Sequence, residues 1–232
     1  MQDDLSGLDV AVLASGGIES AILCVEMLQH AARVFPLYVR FGLRWEDVEL
    51  AHLRTFLQRA TRAGLMPLHV LEEPVADVYG ASHWSTQGPT VPDAQTPDEA
   101  VYLPGRNLLL GAKAAVWCRM RGVEALTFGC LQTNPFPDST PEFFADLESL
   151  ANRALGGRLR IIRPFAHLHK QEVIRRGIEL DLPLAETFSC IQPVRSLHCG
   201  VCNKCEERRV AFQAAGLADQ TPYAEPAQPS RE

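Results

Sequence analysis

The sequence predicts an α/β fold with a mostly parallel sheet and helices on both faces, followed by a small C-terminal cysteine lobe. Three observations support this prediction: apolar runs alternate with helix-length stretches, a Gly-Gly turn follows the first apolar run, and four cysteines cluster near the C-terminus. We expect a sheet domain at residues 1–182 and the lobe at residues 183–223. Residues 224–232 are rich in Pro, Gln and acidic residues, so we expect them to be disordered.

In the first half of the chain, short apolar runs bounded by turn residues predict strands, and the helix-length stretches between those runs predict helices. In chain order we predict a strand at 10–14, a helix at 19–30, a strand at 34–39, an amphipathic helix at 45–63 and a strand at 67–71. Residues 73–100 contain Pro, Gly and Ser without a clear period. We expect them to form a long irregular segment, which in compact domains usually has a function.

The second half continues the same alternation. We predict a helix at 105–121, a strand at 125–128, a helix at 141–155, a strand at 159–162, a helix at 170–180 and, after Pro183, a closing helix at 204–215. Strands that alternate with helices form parallel sheets, and ligands bind at the carboxyl ends of their strands. The glycine turn after the first strand lies at that edge.

Composition excludes several classes of protein. The chain has 232 residues, 47% of them hydrophobic, and a formal charge of −6, which argues against an extended basic surface for nucleic acid. No apolar run approaches the ~20 residues of a membrane span. We expect Arg208-Arg209 and the arginines near 158–163 to form solvated faces, and Cys24, Cys118 and Cys130 to be small core residues. Without a signal peptide, we expect a reducing, cytoplasmic location.

The glycine turn is the first candidate site. A strand that turns through Gly16 and Gly17 into a helix N-terminus favours phosphate, because backbone approach is close and N–H groups are unpaired. The turn lacks the Lys and the spacing of a Walker loop. An ordinary strand-turn-helix corner is the alternative. Residues 15–20, Ser-Gly-Gly-Ile-Glu-Ser, resemble the S-G-G-x-D-S loop of the N-type ATP pyrophosphatases (PP-loop enzymes), with Glu19 in place of Asp.

The second candidate site consists of four cysteines with the spacing C-x8-C-G-x-C-x2-C, namely Cys190, Cys199, Cys202 and Cys205. Four thiolates at this spacing suit a tetrahedral zinc ion, which would make residues 183–223 a zinc-binding lobe with four cysteine ligands. An iron–sulfur cluster and disulfides are the alternatives, although the fourth Cys and the Pro of a ferredoxin run are missing. With four cysteines present, we expect His167, His169 and His198 not to be ligands.

Over nearly its full length the chain resembles the 7-cyano-7-deazaguanine synthases (the QueC/ExsB family). Besides the glycine loop, the resemblance rests on four segments in the family's order: residues 102–107, 137–143, 170–174 and the run from 187 to the cysteines. Two segments depart from the family. Phe-Gly-Leu-Arg-Trp at 41–45 stands for Tyr-Gly-Gln-Arg-His, and residues 132–140 lack a Cys, an Arg and two Tyr. The segments that the resemblance assigns to ATP binding therefore follow the family, whereas those assigned to substrate binding carry substitutions.

The resemblance implies roles for individual residues. The ATP-binding group would be Ser15, Gly16, Gly17, Glu19 and Ser20. The catalytic group would be Glu19, Lys170 and Arg106, with Glu19 acting through Mg²⁺. The substrate-binding group would be Phe41, Arg106, Asn107 and Asp138. Structural alternatives stay open for these residues: a cap or surface role for Glu19, a salt bridge for Arg106, a helix-end hydrogen bond for Asn107, a solvated helix end for Lys170 and turn chemistry for Asp138.

The resemblance also implies an activity: an ATP-dependent ligase that activates 7-carboxy-7-deazaguanine as an acyl-adenylate and forms the amide and nitrile (preQ0) with ammonia, in queuosine biosynthesis. Its cofactors would be structural Zn²⁺, ATP and Mg²⁺. One alternative is a paralogue that transfers the acid to another amine, including one on a protein partner, as in antiphage defence cassettes. Another is a non-catalytic zinc- and nucleotide-binding subunit. We expect a homodimer, with no membrane and no direct nucleic acid partner.

Overall fold

The computed structural model describes residues 5–225, so residues 226–232 of the predicted disordered tail lie outside the described residues. Its centre is a five-stranded parallel sheet in the order β3-β2-β1-β4-β5. The strands are β1 (Asp9–Leu13), β2 (Arg33–Arg40), β3 (His69–Glu72), β4 (Ala125–Thr127) and β5 (Arg160–Ile162). The prediction of a parallel sheet is confirmed.

Seven α-helices are present in the described part of the chain. They are α1 (Ile18–Glu26), α2 (Glu46–Arg59), α3 (Ala76–Tyr79), α4 (Arg106–Arg121), α5 (Pro141–Leu155), α6 (Lys170–Glu179) and α7 (Asn203–Ala215). Short 3-10 helices lie at Met27–Gln29, Asp98–Val101, Pro137–Ser139 and Leu184–Glu186. The predicted irregular segment 73–100 therefore contains only α3 and part of one 3-10 turn.

Both faces of the sheet are covered by helices. Successive side chains of a strand point to opposite faces, and β1 shows the result: Val10 and Val12 join one hydrophobic cluster, whereas Ala11 and Leu13 join another. The first cluster is completed by buried residues of α1, α2, α6 and α7. The second is completed by buried residues of α4 and α5 and by the four clustered cysteines. The lobe thus packs into the same core as the sheet.

The order of the strands places a crevice beside β1. From β1 the chain adds β2 and β3 on one side and then returns to add β4 and β5 on the other. The loops that follow β1 and β4 therefore diverge at their carboxyl ends, which is where open α/β sheets bind ligands. Residues 14–17 and Gly129 lie at this point.

Several predicted boundaries needed correction. The helix predicted at 45–63 ends at Arg59, because the chain beyond it runs to β2, where the Val34 N–H donates to the Gly64 carbonyl and the Met66 N–H to the Val34 carbonyl. The α-helix predicted at 19–30 ends at Glu26 and continues as a 3-10 turn. The 3-10 turns at Pro137–Ser139 and Leu184–Glu186 were not predicted.

The prediction of a solvated face at Arg208 was wrong. Its side chain is fully buried, donates to the Thr187 hydroxyl at 2.8 Å and the Leu184 carbonyl at 2.9 Å, and forms an ion pair with Asp219 at 3.3 Å. Burial is tolerated because its donors are satisfied. The three scattered cysteines are buried, as predicted. Within residues 5–225, no helix combines the length and apolar character needed to cross a membrane.

Candidate active site

The glycine loop links β1 to α1 and is held in shape by its own serines. The Ser20 hydroxyl accepts a hydrogen bond from the Ser15 N–H at 3.0 Å and donates to the Gly17 carbonyl at 3.2 Å. The Ser15 hydroxyl accepts from the Gly17 N–H at 3.3 Å. The first N–H groups of a helix have no intrahelical acceptor, so this loop presents donors to a ligand.

Gly16 is the residue that lets the loop lie against α2. Its φ is +82°, and a Cβ there would approach the Leu53 Cβ at 3.2 Å and the Glu49 carbonyl oxygen at 3.3 Å. The Gly16 carbonyl accepts a hydrogen bond from the Phe188 N–H at 2.8 Å, which ties the loop to the start of the cysteine lobe. A side chain at position 16 would displace the loop from both neighbours.

Two adjoining cavities lie beside the loop. The first, the sheet-edge cavity, has a volume of about 160 Å³ and is lined by residues that include Leu13, Leu37, Val39, Asn107 and Phe128. The second, the reaction cavity, has a volume of about 290 Å³ and is lined by residues that include Trp45, Phe136, Lys170, Lys204 and Glu207. Both cavities are lined by Ser15, Glu19, Glu49, Arg106 and Gly129.

A chain of four charges crosses the reaction cavity. The Lys170 ammonium lies 2.9 Å from a Glu19 oxygen and 2.7 Å from a Glu207 oxygen, and the second Glu207 oxygen lies 2.5 Å from the Lys204 ammonium. Burial would lower the pKa of Lys170, but the charges of Glu19 and Glu207 outweigh it and hold this pKa above its usual value. Lys170 is therefore charged and placed beside the glycine loop rather than in solvent.

Arg106 begins α4 after Gly105 and reaches both cavities. Its Nε atom is buried and has no hydrogen-bond partner within residues 5–225. A buried guanidinium N–H without an acceptor is costly, so an anionic ligand here would be stabilised. Arg106 forms no salt bridge in the described part of the chain, which speaks against the alternative of a salt-bridge role.

Asn107 and Asp138 bind each other across the start of α4. The Asp138 carboxylate accepts from the Asn107 N–H at 2.9 Å, and the Asn107 amide donates to the Asp138 carbonyl at 2.8 Å. Burial raises the pKa of Asp138, although the hydrogen bond from Asn107 opposes the shift. Asn107 lines the sheet-edge cavity, whereas Asp138 lines neither cavity. This placement favours the helix-end interpretation of Asn107 and the turn interpretation of Asp138, and their substrate roles stay predictions.

Phe41 also lies outside both cavities. Its side chain is buried, and its N–H donates to the Glu46 carboxylate, which also accepts from the Gly42 N–H at 2.8 Å. Glu46 therefore fixes the course of the 41–45 segment. Trp45 of that segment lines the reaction cavity and stacks on Trp84 at 5.7 Å. The edited segment thus contributes an aromatic wall through Trp45 instead of Phe41.

Glu49 is a site residue that the sequence did not reveal. It lies on α2, lines both cavities and accepts a hydrogen bond from the Tyr38 hydroxyl at 2.7 Å. Burial raises the pKa of Glu49 to about 8, against the lowering effects of Arg106 and Tyr38. Glu49 lies within a predicted amphipathic helix, and nothing in that pattern indicated that its side chain faces the site. Lys204 and Glu207, in the predicted closing helix, were missed as well.

The four clustered cysteines form one compact set. Their Sγ atoms lie within 4.8 Å of one another, with 3.9 Å between Cys190 and Cys202 and 3.9 Å between Cys199 and Cys205. A tetrahedral zinc ion with Zn–S bonds of about 2.3 Å requires S–S edges of about 3.8 Å. Because all four atoms fit one such tetrahedron, the set is compatible with a single zinc ion.

Backbone geometry supports thiolate ligands. The Sγ of Cys190 accepts from the N–H groups of Gln192 and Cys199, each at 3.3 Å. A Cβ at Gly200, whose φ is +89°, would lie 2.1 Å from the Glu225 carbonyl oxygen, so only glycine fits this turn. All seven cysteines are free thiols in the described part of the chain, which favours metal ligation over the disulfide alternative.

The predicted non-ligand histidines lie outside this cluster in the described part of the chain. His198 is buried and its Nε2 accepts a hydrogen bond from the Ser189 N–H at 3.0 Å. Burial lowers the pKa of His198 to about 3. A neutral ring whose Nε2 is already engaged supports the fold beside the four clustered cysteines.

Comparisons with known proteins agree with this architecture. The family model described as "Queuosine biosynthesis protein QueC" matches residues 9–216. A "7-cyano-7-deazaguanine synthase" of Thiobacillus denitrificans is 33% identical over 222 residues, covering 92% of this chain and 97% of the relative. A protein of the same description from Syntrophotalea carbinolica is 31% identical, with 92% and 95% covered. A crystal structure described as a predicted subunit of tRNA methyltransferase from Methanocaldococcus jannaschii has a similar fold, with a TM-score of 0.50, 15% identity and 94% of each chain covered.

Proposed function

The chain belongs to the QueC family, and from this premise we propose that it is an ATP-dependent ligase that activates 7-carboxy-7-deazaguanine and converts it to 7-cyano-7-deazaguanine with ammonia. The observation that carries the proposal is the junction of the two cavities. There the glycine loop, the Glu19–Lys170 pair and Arg106 meet. This arrangement suits a nucleotide in the sheet-edge cavity and an acid in the reaction cavity.

The proposed first step forms an acyl-adenylate. A carboxylate oxygen of the acid attacks the α-phosphorus of ATP, the P–O bond to the β-phosphate breaks, and pyrophosphate leaves with the electron pair. Loop N–H groups hold the departing phosphates. Lys170 and the unpartnered Nε of Arg106 neutralise the charge that develops. Activation is required because a carboxylate does not react with ammonia at neutral pH.

Mg²⁺ fits the acidic end of this junction. Glu19 supplies a carboxylate, the ligand type that Mg²⁺ takes together with substrate phosphates, and lies at the loop that would hold them. When bound there, Mg²⁺ would reduce the repulsion between phosphate groups. Lys170, whose ammonium lies 2.9 Å from a Glu19 oxygen, orients that carboxylate.

We assign the metal centre a structural role. The four cysteines form a closed donor set with no position left for substrate, as in structural zinc sites. Cys202 immediately precedes α7, and Cys205 lies in its first turn. Zinc would therefore fix the start of the helix that carries Lys204 and Glu207 to the reaction cavity.

The substituted side chains in the lining of the reaction cavity favour a second candidate function, which begins with the same activation of the acid. Thr133, Asn134, Pro135 and Phe136 line it. They belong to the segment that lacks the polar side chains typical of the family. The second candidate is transfer of the activated acid to an amine other than ammonia. A homodimer and a cytoplasmic location stay predictions.

The test is incubation of the purified protein with ATP, Mg²⁺, 7-carboxy-7-deazaguanine and ammonium, followed by mass spectrometry. We expect AMP and pyrophosphate together with amide or nitrile. ADP and phosphate as the main products would contradict the proposal, because they require cleavage at the γ-phosphate. Adenylate that accumulates without reacting with ammonium would favour the second candidate.

A further inference from the structure

A third cavity adjoins the reaction cavity and has no part in the proposed first step. This side cavity has a volume of about 430 Å³ and lies between α6, α7 and residues 94–98. The two cavities have five lining residues in common: Asp98, Leu131, Thr133, Lys170 and Glu207. The side cavity therefore reaches the same charged pair, Lys170 and Glu207, as the reaction cavity.

The proposed reaction has three reactants, and the proposed function assigns two of them, the nucleotide and the acid, to the sheet-edge and reaction cavities. Once the acid is bound next to ATP, an incoming amine needs its own route to the acyl carbon. Resting on the proposed function, we propose that the side cavity is the entry route and binding subsite of a primary amine nucleophile. The amine then approaches the acyl-adenylate past Lys170 and Glu207.

The lining of the side cavity suits an amine cation. It contains three carboxylates, Asp98, Glu206 and Glu207, and one ammonium, that of Lys170. Lys170 repels a second cation only weakly, because Glu19 and Glu207 lie within 2.9 Å and 2.7 Å of it. Glu206 is paired with Arg209 at 2.7 Å and Glu207 with Lys204 at 2.5 Å, whereas Asp98 has no ion-pair partner within residues 5–225. Asp98 is the carboxylate available to an incoming cation.

A buried acceptor adds an independent observation. Asn203 lines the side cavity and is only 5% exposed. Its amide nitrogen donates to the Thr96 carbonyl at 2.6 Å, and its Oδ1 has no hydrogen-bond partner in the described part of the chain. An unpaired buried acceptor costs free energy, and an N–H donor would remove that cost. Primary amines supply such donors.

The volume of the side cavity exceeds what ammonia requires. Ammonia is close in size to water, which occupies about 30 Å³. The side cavity of about 430 Å³ therefore has room for a substituted amine. In the second step the bound ammonium ion first loses a proton to solvent. The neutral amine then forms the C–N bond to the acyl carbon, the C–O bond to AMP breaks with its electron pair on the phosphate oxygen, and the second surplus proton of the amine passes to solvent.

Val210→Trp tests the proposal by filling the side cavity. Val210 lines this cavity but not the reaction cavity, lies about one helical turn after Glu207 and is 52% exposed, so the larger ring does not disturb the core. The matched control is Val116→Trp on α4, where Val116 is 49% exposed and lines none of the three cavities. Thermal unfolding verifies that both variants fold.

Two reactions are measured for each protein. The first is ATP–pyrophosphate exchange with 7-carboxy-7-deazaguanine and no amine. The second is product formation with ammonium and, separately, with methylamine and butylamine. We expect Val210→Trp to keep the exchange rate of Val116→Trp, to raise the KM for ammonium about tenfold, and to raise the KM for butylamine further where the wild type accepts it.

The outcomes separate the two proposals. Exchange in the wild type with an unchanged amine KM in Val210→Trp overturns the side-cavity proposal alone. The side-cavity proposal is also overturned if Val210→Trp and Val116→Trp lose amine transfer to the same extent. No exchange in the wild type overturns the proposed function, and the amine subsite with it.

Discussion

Replacement of Gly16 by Ala tests the geometry on which the candidate site depends. Gly16 has a φ of +82°, and an added methyl group would lie 3.2 Å from the Leu53 Cβ and 3.3 Å from the Glu49 carbonyl oxygen. Neither neighbour is the free end of a flexible side chain, so the loop has to move. Because Ser15 and Ser20 are bound to one another, their hydroxyl groups would move with it.

The cost has two parts. A residue with a Cβ in the left-handed region loses roughly 1–2 kcal/mol. Two contacts closer than ordinary van der Waals distance add a penalty that raises the total to about 2–3 kcal/mol. A displacement of the loop by a fraction of an ångström would also lower the rate, since a misplacement of about 1 Å can cost about a hundredfold. We expect pyrophosphate release to fall about tenfold or more.

The assay pairs urea unfolding with pyrophosphate release from ATP, Mg²⁺ and the acid. The control is Gly122→Ala, because Gly122 has a φ of +69° but no atom within 4 Å of its added Cβ. This control carries the conformational strain without the crowding, at a helix end away from the cavities. If Gly16→Ala released pyrophosphate at the rate of Gly122→Ala, the loop would not be the phosphate site and the argument from close packing would be refuted.

Three further predictions concern the metal, the shared lysine and a buried acid. Cys202→Ser should lose bound zinc, measured by metal analysis, and loosen α7, because metal binding and folding are coupled at such sites; a full zinc content would contradict this. Lys170→Gln should lower kcat for pyrophosphate release about 10²–10³-fold, whereas Lys113→Gln, which removes only the partner of Glu73 at 3.2 Å, should not. Burial raises the pKa of Glu49 from 4.5 to about 8, so the folded chain holds a proton that the unfolded chain releases. The free energy of unfolding should therefore decrease as pH rises through that range, and Glu49→Gln should remove this contribution in urea unfolding.

Local signals account for the elements that the sequence predicted well. Helix α5 begins and ends where predicted because Thr140 caps it, Pro141 opens it and Gly156 ends it with a φ of +60°. The ends of α2 and β3 were misjudged because they depend on partners elsewhere. Strand β3 begins at His69 because that residue pairs with Leu37 of β2, whereas the apolar run starts earlier.

The candidate site was predictable only where one short segment supplies it. The glycine loop and the four cysteines are such segments, and both are assembled in the structure. The Lys170–Glu207 contact joins residues 37 positions apart, and the Asn107–Asp138 pair joins residues 31 positions apart. Composition and periodicity contain no information on such pairings, so Glu207 was missed and Asp138 was expected in the pocket.

Helix α7 bears on how proteins of this kind can be recombined. One turn of it supplies a cysteine of the four-cysteine cluster, and the next supplies the Glu207 carboxylate that holds Lys170 of α6. A chimera that joined the lobe of one relative to the sheet of another would give Lys170 a partner selected for a different neighbour. We therefore expect that the lobe cannot be exchanged as a module, that its lineage follows that of the glycine loop, and that substitutions at positions 19, 170 and 207 are inherited as a set.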